Sequence, residues 1–466
     1  MPEVAMAAEE RVPSADSPSP DHLCVLVHGL WGNPDHLKNL AACLRERHPE
    51  SELDILVPKG NTGNFTYDGI ELGAERVTKE IEDRFEELTK QGHKIKKFSI
   101  VGYSLGGLVA RYAIGILYSK GWFEKVEPVN FTTFATPHLG VRTPVNGFHH
   151  RIFNSLGGRF LSKSGHQLFT IDSFRDTGRP LLCLLADPDS IFIKALSSFR
   201  HRVLYANIIN DRSAPYYTTS LSSTDPFVDL SKIKINYREG FDGLILDADN
   251  PASLLPQDDS LDLPLLDRFK GNTANVITRI PTYALMSLFF PIGMMFFITN
   301  GIIQSFQSER RIRLHKSGEA GTRSYDFPSL LSQKTMDGVF EGLERVQSQE
   351  YLSDSDLESG HDSISQAASG SEEDKSAGFK PIKRNSSKSI RSLRRRSSTK
   401  GFPTLALSQE QFEMIDALRN VGFRRYPVHI QTVNHTHAAI VVRRDWKSFD
   451  EGRRIIKHWL DEEFEI

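Results

Sequence analysis

Residues 98–113 read FSIVGYSLGGLVARYA, and the fold follows from the change of pattern at the middle of this stretch. Phe98 to Val101 is a short apolar run of strand character, whereas from about Leu105 to Tyr118 the apolar residues persist over a helical length. Between the two lies Gly102-Tyr103-Ser104-Leu105-Gly106. A serine on a tight strand-to-helix turn is held in strained backbone that exposes its hydroxyl, and flanking glycines leave room for backbone that a side chain would block. That context makes Ser104 a candidate nucleophile rather than an ordinary turn serine.

The same alternation extends on both sides. Leu23 to Val27 (LCVLV) predicts a buried strand, Asp35 to His48 a helix, Leu53 to Val57 a strand, and Gly69 to Gln91 a long charged amphipathic helix. Val129 to Phe134 and Val203 to Ile209 predict further strands. Short strands alternating with helices give an α/β class with a mostly parallel sheet flanked by helices. Between His138 and Arg200 the period loosens into mixed Phe, Leu and Gly, a composition suited to an acyl-chain pocket or a lid.

A serine hydroxyl needs a general base, and the base needs a carboxylate that fixes its tautomer. Asp211 follows the strand-like YANIIN directly, so it is the candidate acid; Asp172, Asp176 and Asp225 lack a leading strand. VHIQTVNHTHAAIVV, residues 428–442, offers His435 and His437 as bases, with His437 favoured because an apolar segment follows it. His138, in ATPHLG, precedes the acid in the chain and reads as a structural residue at a strand end. Upstream, Val25 to Asn33 reads VLVHGLWGN. The loop after such a strand and the residue after the nucleophile each lend a backbone N–H to an oxyanion, which makes Leu30 and Leu105 the candidate donors. His28 orders that loop.

Composition narrows the classes. The chain has 466 residues, with Lys+Arg 57 against Asp+Glu 59 and a net charge of -2. A nucleic-acid binder needs a basic field to neutralise phosphates, so that class is excluded. Cys24, Cys43 and Cys183 lack metal-ligand spacing and cannot make a disulfide framework, which fits a reducing compartment.

HGLWGN, TYDGIELGAERV with Asp68-Gly69-Ile70, GYSLGGLVARY, FATPHLG, NDRSAPYYTTS and NHTHAAIVVRR together resemble the fungal serine-esterase/lipase family of the α/β-hydrolase superfamily. The resemblance covers His22 to about Pro226 and Ser408 to the C-terminus. It implies an α/β-hydrolase fold, a triad of Ser104, Asp211 and His437 without metal or other cofactor, and hydrolysis of acyl esters of glycerophospholipids or acylglycerols. An acyltransferase using the same acyl-enzyme, or a non-enzymatic adaptor that keeps the fold, are the other classes such a site allows. The resemblance, with Arg268, Lys270 and Arg279 before the apolar run 280–303 and Arg310, Arg311 and Arg313 after it, implies a lipid-droplet or endoplasmic reticulum membrane surface, on its cytosolic side.

The expected division is a disordered leader at 1–20, a hydrolase core at 21–226, an insertion at 227–346, a disordered Ser-rich linker at 347–400, and the rest of the core at 401–466. No secretory signal pattern occurs at the N-terminus. Ser408 and Gln411 read as a capping box for a helix that stops at Gly422, with a strand at Val428 to Val433 and a helix at Trp446 to Leu460 after it. Within the insertion no charge occurs between Arg279 and Glu309. Ser104 and His437 flank this apolar run and must share one site, so a single membrane crossing is forbidden. With Pro291 and Gly293 at its centre, residues 281–303 are expected to form a monotopic hairpin anchor. Arg394 to Arg396 precede Ser397 and Ser398, the expected targets of a basophilic kinase.

Overall fold

The computed structural model describes residues 19–142, 144, 158, 162–241, 243–255, 295, 299–317 and 401–466. Its strands are β1 (His22–Val27), β2 (Leu53–Leu56), β3 (Lys97–Tyr103), β4 (Glu127–Phe134), β5 (His201–Asn207), β6 (Ile233–Ile235), β7 (Ala252–Leu254) and β8 (Arg424–Val428). Six of them form one sheet in the order β2-β1-β3-β4-β5-β8, every neighbouring pair parallel. This is the mostly parallel sheet flanked by helices that the alternation of strand and helix runs predicts, in keeping with the α/β-hydrolase fold that the resemblance implies.

Period-two alternation divides the sheet's side chains between two cores. Leu23, Val25 and Val27 of β1 face the helices α2 (Ile70–Lys90) and α3 (Leu105–Ser119). Cys24 and Leu26 face α1 (Lys38–Arg47) and the C-terminal helix Asp450–Glu462. Because both faces are covered, the strands read as continuous apolar runs. Leu23, Cys24, Val25 and Leu26 are all fully buried.

The loosened stretch resolves into α4 (Ser162–Leu168), α5 (Leu181–Leu185) and α6 (Ile191–Ser197). Leu181, Leu182, Leu184, Leu185, Phe192 and Leu196 are buried in the same core as α3. The described part of the expected acyl pocket is therefore packed core; residues 145–157 and 159–161 lie outside the described residues. α7 is Tyr216–Thr219.

Past residue 226 the chain stays on the body. β6 and β7 pair antiparallel, Leu244, Ile245 and Leu246 are fully buried, and Leu246 N–H donates to Pro427 O at 2.9 Å. This segment covers the outer edge of β8, which would otherwise present unpaired backbone groups to solvent. The C-terminal part begins with α8 (Gln409–Asn420), whose capping box of Ser408 and Gln411 is present. The expected strand shifts toward the N-terminus, to Arg424–Val428, because residues 429–435 turn away to carry α9 (Thr436–Ala439). The last helix, α10 (Asp450–Glu462), likewise starts later than Trp446, which precedes a short 3-10 turn at Lys447–Phe449.

Most of the expected hairpin anchor lies outside the described residues, as do residues 1–18, the Ser-rich stretch 347–400, Ser397 and Ser398. Its described residues 299–303 belong to a helix that runs on to residue 316. Among the described residues no helix is long and apolar enough to cross a membrane. The helix is held by charge: Arg311 and Arg76 both bond the fully buried Asp68, each at 2.7 Å, and His315 pairs with Glu75 of α2. Ser308 Oγ also donates to Tyr67 O at 3.4 Å.

Candidate active site

Parallel strands deliver their following loops to one edge, and the register aligns the ends. Val27 pairs with Gly102, Tyr103 with Phe134, Phe134 with Tyr205 and Asn207 with Val428. The loops after β1, β3, β5 and β8 thus converge at the carboxyl end of the sheet, where open α/β sheets bind ligands.

Ser104 sits between β3 and α3 with φ 55 and ψ -129, a conformation that costs a non-glycine residue roughly 1–3 kcal/mol. Its N–H donates to Phe134 O at 2.9 Å, which secures the turn. Gly106 is obligatory there, since a Cβ would collide with the carbonyl oxygens of Val27 and His28. A Cβ at Gly29 would stand 2.6 Å from Ser104 Cβ, so the β1 loop lies directly against the nucleophile candidate. Among the described residues the N–H groups of Leu30 and Leu105 have no protein acceptor. His28 is buried, with Nδ1 3.1 Å from Gly29 O, and burial lowers its pKa.

The structure brings Ser104, His437 and Asp211 into one hydrogen-bonded chain. Ser104 Oγ lies 3.0 Å from His437 Nε2, and His437 Nδ1 lies 2.8 Å from Asp211 Oδ2. A ring that donates through Nδ1 to a carboxylate presents Nε2 as an acceptor for the serine proton. Burial opposes charge on Asp211, yet His437, the Ala214 N–H and the Asn207 amide together hold its pKa below the ordinary carboxylate value. Asn207 Nδ2 donates at 2.9 Å; Ser213 and Ala214 N–H donate at 3.0 and 2.9 Å.

The other candidates stand apart. His435 precedes α9 with an exposed side chain and forms no bond to Ser104 or Asp211. His138 is fully buried against Thr133 Oγ1 at 3.1 Å, and burial drives its pKa well below that of a free imidazole. Asp172 accepts from Leu181 N–H at 2.9 Å and Asp225 from Phe227 N–H at 3.0 Å; burial raises both to about 6. Asp176 lies in the 3-10 turn Arg175–Thr177. Two positioning residues escaped the sequence reading. Tyr103 OH donates to His437 O at 2.9 Å, and Thr436 Oγ1 to Ile209 O at 2.9 Å, so β3 and the loop after β5 both grip α9, which carries the imidazole. Nothing in the sequence marks either, beyond the place of Tyr103 beside Ser104.

Among the described residues no group of His, Cys, Asp and Glu could hold a metal ion. All three cysteines are free, Cys24 and Cys183 buried.

The putative lipase ROG1 of Saccharomyces cerevisiae is 34% identical over 244 residues, 50% of this chain and 33% of that protein. The putative lipase C4A8.10 of Schizosaccharomyces pombe is 33% identical over 209 residues, 43% of this chain and 26% of that protein. The chain thus spans about a third or less of the length of these relatives. Among solved structures, phospholipase PlaB from Legionella pneumophila is similar at 12% identity and a TM-score of 0.29, covering 44% of this chain and 41% of that one. Residues 17–224, which carry both Ser104 and Asp211, match the family described as putative serine esterases.

Proposed function

We propose that the protein is a serine hydrolase that cleaves acyl esters of glycerolipids through an acyl-enzyme. The observation that carries this reading is the chain Ser104–His437–Asp211, with contacts of 3.0 and 2.8 Å, built on a strained turn at the carboxyl end of the sheet. Ser104 Oγ attacks the acyl carbonyl while His437 Nε2 accepts its proton. The Leu30 and Leu105 N–H groups bind the oxyanion of the tetrahedral intermediate. His437 returns the proton to the leaving alcohol, then activates water to release the acid, and Asp211 stabilises the imidazolium in both half-reactions.

The match of residues 17–224 to the serine-esterase family and the similarity to the lipase relatives support lipid esters, phospholipid or acylglycerol, as substrates. A lipid surface as the working location, a droplet or endoplasmic reticulum membrane, fits the exposed Trp31, Phe65, Ile302, Ile303 and Phe306. Trp31 bonds Tyr67 OH at 2.8 Å, Phe65 lies in the same 3-10 turn, Gly63–Tyr67, and the helical residues 299–316 dock there too. These apolar side chains therefore lie around one part of the body, beside the loop that carries Leu30.

The test is labelling with a fluorophosphonate probe alongside turnover of a short-chain ester. Wild type should label and turn over; Ser104→Ala should do neither while keeping its circular dichroism spectrum. Normal turnover by that variant would sink the reading.

A further inference from the structure

A cavity of about 350 Å³ opens beside His437, lined by residues of the loops after β5 and β8. Its wall includes Arg212, Arg443, Arg444, His435 and His437, and no carboxylate. Of the acids next to these residues in the chain, Asp211 is bonded to His437 and Asp445 pairs with Arg453. Asp35 faces His36. Among the described residues neither Arg212 nor Arg444 has a carboxylate partner. Arg443 is held by His36 Nε2 at 3.0 Å. Burial, then Arg443 and His28, push the His36 pKa down to about 4, so that ring stays a neutral acceptor. The Arg444 guanidinium lies 5.0 Å over the Trp446 ring, which restricts it to one wall of the cavity.

Several guanidinium groups around one concavity, left without counter-charges, recognise an anion, and their fork geometry suits phosphate oxygens. The position says which part of a substrate the anion belongs to. When the Ser104 Oγ–acyl carbon bond forms and the ester C–O bond breaks, His437 Nε2 delivers its proton to the departing oxygen. The alcohol half of the ester must therefore lie on the His437 side, where this cavity is, and the carbonyl oxygen lies toward Leu30 and Leu105. Resting on the hydrolase reading above, we propose that the cavity is a phosphate subsite, and that Arg212 and Arg444, with Arg443 behind them, select acyl esters whose leaving alcohol is a glycerol phosphate over neutral acylglycerols.

Two measurements test this. The first is the ratio of kcat/KM for a monoacylglycerol 3-phosphate to that for the matching monoacylglycerol, both as monomers in low salt. It should exceed ten in wild type, fall at least tenfold in Arg212→Gln/Arg444→Gln, and recover in Arg212→Lys/Arg444→Lys, which keep the charge. The second is calorimetric binding of glycerol 3-phosphate against glycerol, which needs no turnover and can use the Ser104→Ala protein. Binding of the phosphate compound alone, lost in the Gln double variant, supports the subsite even if the serine chemistry fails. No binding by wild type overturns it, as does equal turnover of the two esters. Glycerol 3-phosphate binding without preference for the phosphorylated ester would assign the cavity to a free phosphate compound and overturn the substrate reading.

Discussion

The distances around Ser104 leave little tolerance. Gly106→Ala would push a methyl group into the carbonyl oxygens of Val27 and His28, so α3 must move away from β1. Esterase activity is expected to fall at least a hundredfold, with Tm lowered, as read by ester turnover and thermal unfolding. Asp211→Asn removes the acceptor that sets the His437 tautomer; in serine hydrolases that loss is worth roughly 10⁴ in kcat, and burst kinetics with a chromogenic ester will report it. Asp225 supplies a pH prediction. Burial raises its carboxyl to about 6 from the ordinary 3.8 of an aspartate, so the folded state binds the proton more tightly than the unfolded one. The associated stability is complete below about 4 and is lost as pH rises through about 6. Asp225→Asn keeps an acceptor for Phe227 N–H without the charge, and should stabilise the protein on the order of 2 kcal/mol at pH 8, with no gain at pH 4. Denaturant unfolding at the two pH values decides it.

Among the elements, two contacts hold functional parts on the sheet. Tyr103→Phe removes the hydroxyl that fixes the His437 backbone but keeps the ring, which lies 5.2 Å from the imidazole. About 1 kcal/mol of stability should go with that hydrogen bond, and kcat should fall several-fold with KM nearly unchanged. The helical residues 299–316 depend on Asp68, a buried carboxylate shared by two arginines. Removing one partner of a buried pair typically costs 3–5 kcal/mol, and Asp68→Ala leaves Arg76 and Arg311 facing each other. Hydrogen exchange should rise across residues 299–316 before it rises in β3. Equal protection in the variant would show that apolar contacts alone seat this helix. The Asp68-Gly69-Ile70 stretch thus has a structural explanation: its acid docks a segment more than two hundred residues downstream.

The molecule as a whole is one sheet completed late. Residues 401–466 add β8, the imidazole, and Ile455, Ile456 and Trp459 of the core beneath α1. A chain ending at residue 400 would expose that face and the outer edge of β5, so it should aggregate and show no ester turnover, measured by size-exclusion chromatography and activity. What the sequence by itself determined was everything with a short-range signal. Strand runs at β1, β3, β4 and β5, the amphipathic period of α2, the capping box of α8 and the glycine spacing around Ser104 all depend on neighbours a few residues away, and these define the α/β class with its mostly parallel sheet. Tertiary structure alone decided whatever depends on partners far along the chain. It selected His437 over His435 as the ring that meets Ser104, 333 positions earlier, because α9 turns only one of the two toward β3. It packed the loosened stretch at α5 and α6 as core, since burial against α3 leaves no periodic trace in such short helices. It set Arg212 beside Arg443 and Arg444 around one cavity, because parallel strands bring their carboxyl-end loops together however far apart they lie in the chain.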